Sequence, residues 1–333
     1  MNENWRLAAI GAGGTIALYL IVTGMLGLFW SFEPKRFDAG AAASTQAKER
    51  GERIVPGYTT GATAIALTNQ LLDKPGGFVA NDLLPPGVWL DNMSNFERGA
   101  VLQLRDFALI LRNEWGRPPS QSPEDPDLAE VQEQFQIDTA SWAFPSAEGS
   151  YRRGAEHLQR YLTRLADDNP QDAHFYPRAD QLGEWLGLVQ KRLGALTQAL
   201  SQSVASVPAP PAPGQTDTAL PAPSQAPSPA PPSPTGWTTR DNIFYEARGQ
   251  SWALIHLLSA VQVDFAPVLE KRIATVAMNN LVHELEATQD TIWSPVILNG
   301  DGFGLVANHS LVMAAYLARA NAAITQLRDS LGR

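Results

Sequence analysis

The residues that could do chemistry in this chain are few and scattered. The sequence of 333 residues contains no cysteine, which excludes thiolate nucleophiles, disulfides and cysteine-ligated zinc or iron–sulfur sites. The histidines do not pair at a metal-ligand spacing, and His283-Glu284 does not continue into a His-Glu-x-x-His motif. We therefore expect no catalytic residue, no metal and no cofactor, and a role other than catalysis. The five histidines are His157, His174, His256, His283 and His309.

Three oxygen- or glycine-rich segments are of the types that can bind calcium or phosphate. Two prolines interrupt the acidic loop that contains Glu124, Asp125 and Asp127, and a turn that caps a helix is the favoured interpretation. Asn299-Gly300-Asp301-Gly302 lacks the downstream glutamate of a calcium loop, which favours a plain turn. The Gly/Thr-rich stretch 57–63 precedes a helix but lacks the lysine of a phosphate-binding loop, which favours a helix cap.

The segment 85–92, PPGVWLDN, combines a turn, an aromatic residue and polar groups. Binding residues are often found on ordered loops of this kind. It is the candidate interaction loop, with Trp89, Asp91 and Asn92 as its residues and Arg98 on the helix that follows. The alternative is a loop folded back on the body, with Trp89 as its packing anchor.

The charge balance bears on the class of partner. The chain has 25 Lys+Arg against 34 Asp+Glu and a net charge of −9. Phosphate binding needs clustered basic residues, so we expect no nucleic acid partner.

A short tail, residues 1–6, precedes 26 uncharged residues, 7–32, which are long enough for a transmembrane helix and predict a contact with the lipid bilayer. The alternative is a cleaved signal peptide, but the apolar region of a signal peptide is roughly 7–15 residues, which is shorter than this segment. The orientation is left open by the residues alone. Lys35 and Arg36 favour a cytoplasmic body, whereas a short tail before an anchor is a common layout for an exported one.

Behind this helix the sequence predicts an all-α, bundle-like fold with few strand signals. We predict a stalk over 33–58, a first helical region over 59–204, a Pro/Ala/Ser-rich linker over 205–236 and a second helical region over 237–333 that packs with the first.

Two helix boundaries are also predicted. Asn95 is the candidate N-cap of one helix, and the last helix is expected from about Ser310 to Leu331.

Two longer predicted helices need comment. From Pro177 to about Ser203 a heptad-like stripe indicates either a dimer seam or, as we favour, a helix packed inside its own chain. From Val263 to about Thr288 the pattern predicts one helix, with Pro267 near its start. The residues of the stripe are Leu182, Leu186, Val189, Leu193, Leu196 and Leu200.

Three predicted helices also begin with an aromatic residue followed closely by Arg-Gly. Their glycines are Gly99, Gly154 and Gly249. This pattern indicates either a repeated helical unit or common usage at helix starts, since the spacing is irregular.

Several segments together resemble an uncharacterised family of proteobacterial membrane proteins, known only as a domain of unknown function. The resemblance covers the chain from about residue 30 to the end. It implies an inner-membrane protein with an N-terminal anchor and favours a periplasmic body, but it implies no activity, cofactor or catalytic residue. The segments are LDKPGGFVANDLLPPGVWLDNMSNFERGAVLQLRDFA, SQSPEDPDL, SYRRGAEHLQRYL, FYPRADQL and NIFYEARGQSWALIHLL.

From these observations we expect an interaction or scaffold module of the cell envelope, with protein partners there. The alternatives are a periplasmic binding domain for an apolar or envelope-derived ligand and an unrecognised hydrolase.

Overall fold

The computed structural model describes residues 3–117, 124–167, 169, 173–204, 240–292, 294, 297–299 and 307–332, with side chains from residue 10. The predicted linker, 205–236, and residues 300–302 of the predicted turn lie outside this part of the chain. The described residues form α-helices joined by short connections, without strands apart from one isolated bridge between Asn299 and Asn308. The all-α fold class is therefore confirmed.

The helices are α1 (Glu3–Trp30), α2 (Ala39–Arg50), α3 (Tyr58–Asp73), α4 (Asp91–Ile110), α5 (Pro126–Phe135), α6 (Ala147–Ala166), α7 (Ala179–Ser203), α8 (Arg240–Asp264), α9 (Ala266–Lys271), α10 (Thr275–Glu286) and α11 (His309–Leu331). A 3-10 turn over Gly87–Trp89 precedes α4, and a π-helical turn over Leu111–Trp115 extends it.

The parallel pair α4 and α8 forms the centre of the body. At their closest crossing a Cβ on Gly99 would lie 2.2 Å from the Glu246 carbonyl oxygen, and a Cβ on Gly249 would lie 1.9 Å from the Phe96 carbonyl oxygen. Two of the three Arg-Gly pairs noted in the sequence therefore meet at this crossing. Glycine is required on both helices because only its missing side chain lets the backbones approach this closely.

Both helical regions contribute to one hydrophobic core. The indole of Trp115, fully buried, lies 5.5 Å from the Trp185 ring and 5.0 Å from the Phe265 ring. Trp185 belongs to the first region and Phe265 to the second, so this aromatic cluster joins them.

The apolar stripe of α7 is fully covered within the chain, where α7 packs along α11. Two polar pairs at the edge of this contact fix the register of the two helices. The Gln190 side chain donates to the Thr325 hydroxyl and accepts from the Arg328 guanidinium. The stripe therefore serves intramolecular packing, which is the interpretation favoured from the sequence.

Two sequence expectations differ from the structure, and the expected stalk, part helix and part coil, contains one helix. The predicted single helix from Val263 to Thr288 is wrong, because the chain turns twice there, after Asp264 and at Ile273, whose φ is +54°. Helix α4 begins at Asp91 rather than at Asn95. Within the expected stalk, α2 buries Ala39, Ala43 and Ala47 against the body, so its small side chains make a packing face.

Candidate functional site

Helix α1 presents an almost fully exposed apolar surface. Its segment Ile10–Trp30 has a mean hydropathy of 1.8 and is the one helix in the described residues long and apolar enough to cross a membrane. A signal sequence satisfies the same criterion. A core helix of a soluble protein would be mostly covered, whereas only 11% of this segment is buried.

The loop after α3 is built around a buried ion pair. The Lys74 Nζ lies 2.8 Å from Glu97 Oε1, with both side chains almost completely buried. Lys74 also donates to the Gly77 carbonyl oxygen at 2.7 Å. The Glu97 carboxylate accepts the backbone N–H groups of Val79 and Ala80 at 2.9 and 2.8 Å. These bonds hold residues 74–80 in one conformation.

Burial raises the pKa of Glu97 from its ordinary value to about 7, because the charged form is deprived of water. Lys74 and the backbone hydrogen bonds act in the opposite direction. The carboxylate is therefore stable in this position only together with its partners.

This loop contacts the last turns of α1. Gly76 has φ +87°, and a Cβ there would lie 2.5 Å from the indole ring of Trp30, so glycine is needed both for the turn and for the contact. One turn earlier in α1, the Cβ position of Gly27 lies 3.5 Å from Pro86 and 3.8 Å from Leu90.

A second set of contacts fixes the segment that follows α1. The Arg248 guanidinium, nearly fully buried on α8, donates to Glu33 Oε1 at 2.7 Å. It also donates to the backbone carbonyl oxygens of Thr288 and Asp290, each at 2.9 Å. Arg248 thereby links α8, the end of α10 and the residues after α1 through charge-assisted hydrogen bonds.

His256, about two helical turns further along α8, binds the same segment. Its Nδ1–H donates to the Trp252 carbonyl oxygen at 2.7 Å, and its Nε2 accepts the backbone N–H of Phe37 at 3.0 Å. The Phe37 ring stacks on the imidazole with 4.2 Å between centroids. Burial lowers the pKa of His256 to about 4, which keeps the ring neutral. We call this whole set of contacts the helix–body junction; its residues are Gly27, Trp30, Glu33, Phe37, Gly76, Pro86, Arg248 and His256.

The candidate interaction residues lie beside the junction. Trp89 is 52% exposed, while Gly87 before it is buried, so about half of the indole surface remains accessible on the loop. Asp91 and Arg98 are exposed on one face of α4, and the Asn95 side chain between them donates to the Asp91 carbonyl oxygen. Asn92 is partly buried.

The other candidates from the sequence have structural partners. Asp125 caps α5 and binds Arg164 at 2.8 Å, and Asp127 binds the same guanidinium at 2.7 Å. The start of α3 is occupied by the Asp264 carboxylate, which accepts the Thr60 backbone N–H at 2.7 Å.

In the part of the chain that the structure describes, no group of three His, Asp or Glu side chains is placed to hold a metal ion.

An apolar pocket of about 390 Å³ lies between α8, the 3-10 turn Ala287–Gln289 and the start of α11. Arg248, Asp290 and His309 are among the polar residues of its lining. Its apolar lining includes Phe244, Ile292, Leu298, Val312, Met313 and Tyr316.

Of the junction residues, Pro86 lies in the candidate loop predicted from the sequence, whereas Glu33, Phe37 and Arg248 were not identified. One signal was available for Arg248, since it lies in a helix that is otherwise mostly buried and apolar. A buried guanidinium must find partners, and that requirement would have singled it out.

Taken together, the fold and the junction define a class: an all-α body held against one exposed, apolar N-terminal helix. The chain belongs to a family described as uncharacterized protein conserved in bacteria (DUF2333), whose model matches residues 3–333. This match confirms the resemblance to an uncharacterised bacterial family. A search of curated proteins and a search of solved structures found no match.

Proposed function

We propose that this protein is a single-pass protein of the bacterial inner membrane, whose helical body acts in the periplasm as an interaction or scaffold module of the cell envelope. Helix α1 is the anchor, and the partners are proteins of the envelope. The observation that supports the proposal is the helix–body junction. An exposed apolar helix tied to the body by Arg248 and His256 suits a protein that presents its surface at a set angle to the bilayer.

Topology is tested with reporter fusions after Arg36 and at Arg333. One reporter is active only in the periplasm and the other only in the cytoplasm. We expect activity of the periplasmic reporter at both positions. Activity of the cytoplasmic reporter at both positions would mean that Lys35 and Arg36 had set the orientation, and the proposed location would then be withdrawn.

The interaction role is tested by affinity capture of the full chain, tagged at its native level, from gently solubilised membranes. Arg98→Glu reverses a charge on the exposed face of α4, and Lys271→Glu is the matched control, since it makes the same charge change at the exposed end of α9. We expect one reproducible protein partner that is lost with Arg98→Glu and retained with Lys271→Glu. No partner in the unmodified strain contradicts the proposal.

The apolar pocket supports a second function, the binding of an apolar ligand derived from the envelope. Its volume of about 390 Å³ and its mainly apolar lining are typical of small-molecule sites. Native mass spectrometry of the full chain should show a retained small molecule, and Met313→Trp should displace it by filling the pocket. A chain whose mass shows no retained molecule would argue for the interaction role alone.

A further inference from the structure

Two loops near the end of α1 expose a concentration of large apolar side chains. Leu84 is 77% exposed and Phe144 is exposed completely. Contiguous apolar patches on a protein surface usually mark a place where another apolar phase binds. We call this patch the apolar rim; its residues are Leu83, Leu84, Val88, Trp89, Trp142 and Phe144.

The two loops of the apolar rim are held side by side by Asn81. Its side-chain amide donates to the Ser141 carbonyl oxygen at 2.9 Å and to the Glu148 carboxylate at 2.8 Å. The second loop is closed by the Ser141 hydroxyl, which donates to the Pro145 carbonyl oxygen at 2.6 Å. The first loop follows the segment fixed by Lys74 and Glu97. The apolar side chains therefore project from ordered backbone.

The apolar rim adjoins α1. The 3-10 turn that carries Val88 and Trp89 follows Pro86, which contacts Gly27 in the last turns of α1. If α1 crosses a bilayer, its last turns lie where the hydrocarbon core gives way to the headgroups. The first loop of the rim then lies at the same depth as that boundary, and Asn81 holds the second loop beside the first.

We infer that the apolar rim inserts into the interfacial layer of the bilayer that α1 crosses, so that the body contacts the membrane at a second place. This inference rests on the proposed anchor. Tryptophan and phenylalanine are suited to the interface, where apolar surface meets headgroups. The stretches 78–97 and 136–148 contain no lysine or arginine, so burial of apolar area drives the contact and anionic lipid is not required.

The absence of cysteine makes a direct test possible with the full chain. A single nitroxide label is placed through Leu84→Cys, Phe144→Cys, Leu18→Cys or Val276→Cys, and each variant is reconstituted in phosphatidylcholine vesicles. All four positions are exposed, so the label disturbs no packing. Leu18 reports on the middle of α1, and Val276, 68% exposed at the start of α10, is the control on the body. The ratio of collision rates with oxygen and with a water-soluble nickel chelate measures depth.

We expect the ratio at positions 84 and 144 to be several-fold higher than at 276 and lower than at 18. The ratio should stay the same when part of the lipid is replaced by phosphatidylglycerol. An aqueous ratio at 84 and 144 with a high ratio at 18 overturns the inference and leaves the anchor intact. An aqueous ratio at 18 overturns the anchor itself. Low collision rates with both reagents at 84 and 144 indicate a protein cover, such as a second copy, and also overturn the inference.

Discussion

At the scale of single residues, Lys74 and Glu97 illustrate why a buried ion pair is sensitive to the loss of one partner. Glu97→Leu leaves the Lys74 ammonium and the N–H groups of Val79 and Ala80 without their acceptor. We expect a loss of about 3–5 kcal/mol in the free energy of unfolding, because an uncompensated charge remains buried. Denaturant unfolding of the full chain in detergent measures it.

The exposed pair of Asp73 with Arg152 provides the control for this experiment, since its 2.8 Å contact is also between a carboxylate and a cation. Asp73→Asn should cost no more than about 1 kcal/mol, because water screens both groups. Equal losses in the two variants would show that burial does not determine how much an ion pair contributes to the free energy of unfolding.

His256 predicts a pH dependence of stability. Burial lowers the pKa of the His256 imidazole from its ordinary value of 6.5 to about 4 in the folded chain. Between pH 4 and 6.5 the unfolded chain therefore binds more protons than the folded chain. The contribution of His256 to the free energy of unfolding is fully present above pH 6.5. It is lost progressively as the pH falls towards 4, by about 3 kcal/mol in total. Glu97, whose folded-state pKa is raised to about 7, contributes a slope of the opposite sign in this range. The measurement is therefore the difference in the free energy of unfolding between the parent and His256→Gln, followed against pH.

The free energy of unfolding of the parent relative to His256→Gln should fall as the pH is lowered from 6.5 to 4, although the substitution also weakens the contact with Phe37. His283→Gln, at an exposed position, is the matched control and should keep the slope of the parent protein. The same slope in the His256→Gln variant as in the parent would assign the pH dependence to other groups.

At the scale of helices, the α4–α8 crossing predicts opposite effects for the same substitution at two places. Gly249→Ala adds a Cβ 1.9 Å from a backbone oxygen, so the two helices must move apart, and we expect a loss of several kcal/mol. Gly183→Ala in α7 meets no atom within 4 Å, and alanine's higher helix propensity should stabilise the chain by about 0.5–1 kcal/mol. Thermal unfolding measures both, and a similar sign for the two would refute the close crossing.

Sequence patterns predicted helices best where one face is continuously apolar. The α7 stripe and the last helix were located to within a few residues, since periodic burial is a local property of the chain. The start of α4 was missed because its N-cap, Leu90, makes no side-chain cap, so the usual signal is absent. The break at Ile273 was missed because φ +54° is rare for a β-branched residue, so the residue type does not signal the turn. Local backbone bonds close that turn, from the Ile273 N–H to the Glu270 carbonyl oxygen and from the Ala274 N–H to the Leu269 carbonyl oxygen.

At the scale of the whole molecule, the junction could not have been predicted from local patterns. Arg248 and Glu33 are 215 positions apart in the chain, and Phe37 and His256 are 219 apart. The candidate loop was recognisable from its composition, but its position beside α1 depends on those distant contacts.

The junction predicts the order of the segment between α1 and α2. Arg248→Ala removes the donors for Glu33 and for the carbonyl oxygens of Thr288 and Asp290. We expect faster hydrogen exchange at residues 33–38, including the Phe37 amide, because local opening becomes easier. Mass spectrometry of the full chain in detergent follows it.

Arg36→Ala is the control variant for that measurement, because it removes an exposed pair with Glu286 from the same segment. It should leave the exchange rates nearly unchanged. Unchanged exchange in Arg248→Ala would mean that packing of Trp30 and Phe37 is sufficient to hold the segment.

Trp30, Glu33 and Phe37 are all fixed to the body, so we expect α1 and the body to move as one rigid unit. The exposed span Ile10–Trp30 is about 32 Å long at 1.5 Å per residue, close to the thickness of a hydrocarbon core. A thinner bilayer makes such a helix tilt, and a tilt of about 20° is ordinary. Since α8 extends about 24 Å from Arg248 to Asp264, a rotation of about 20° about Arg248 moves its far end by up to about 8 Å. If α1 spans a bilayer as proposed, a change in lipid thickness therefore displaces the body.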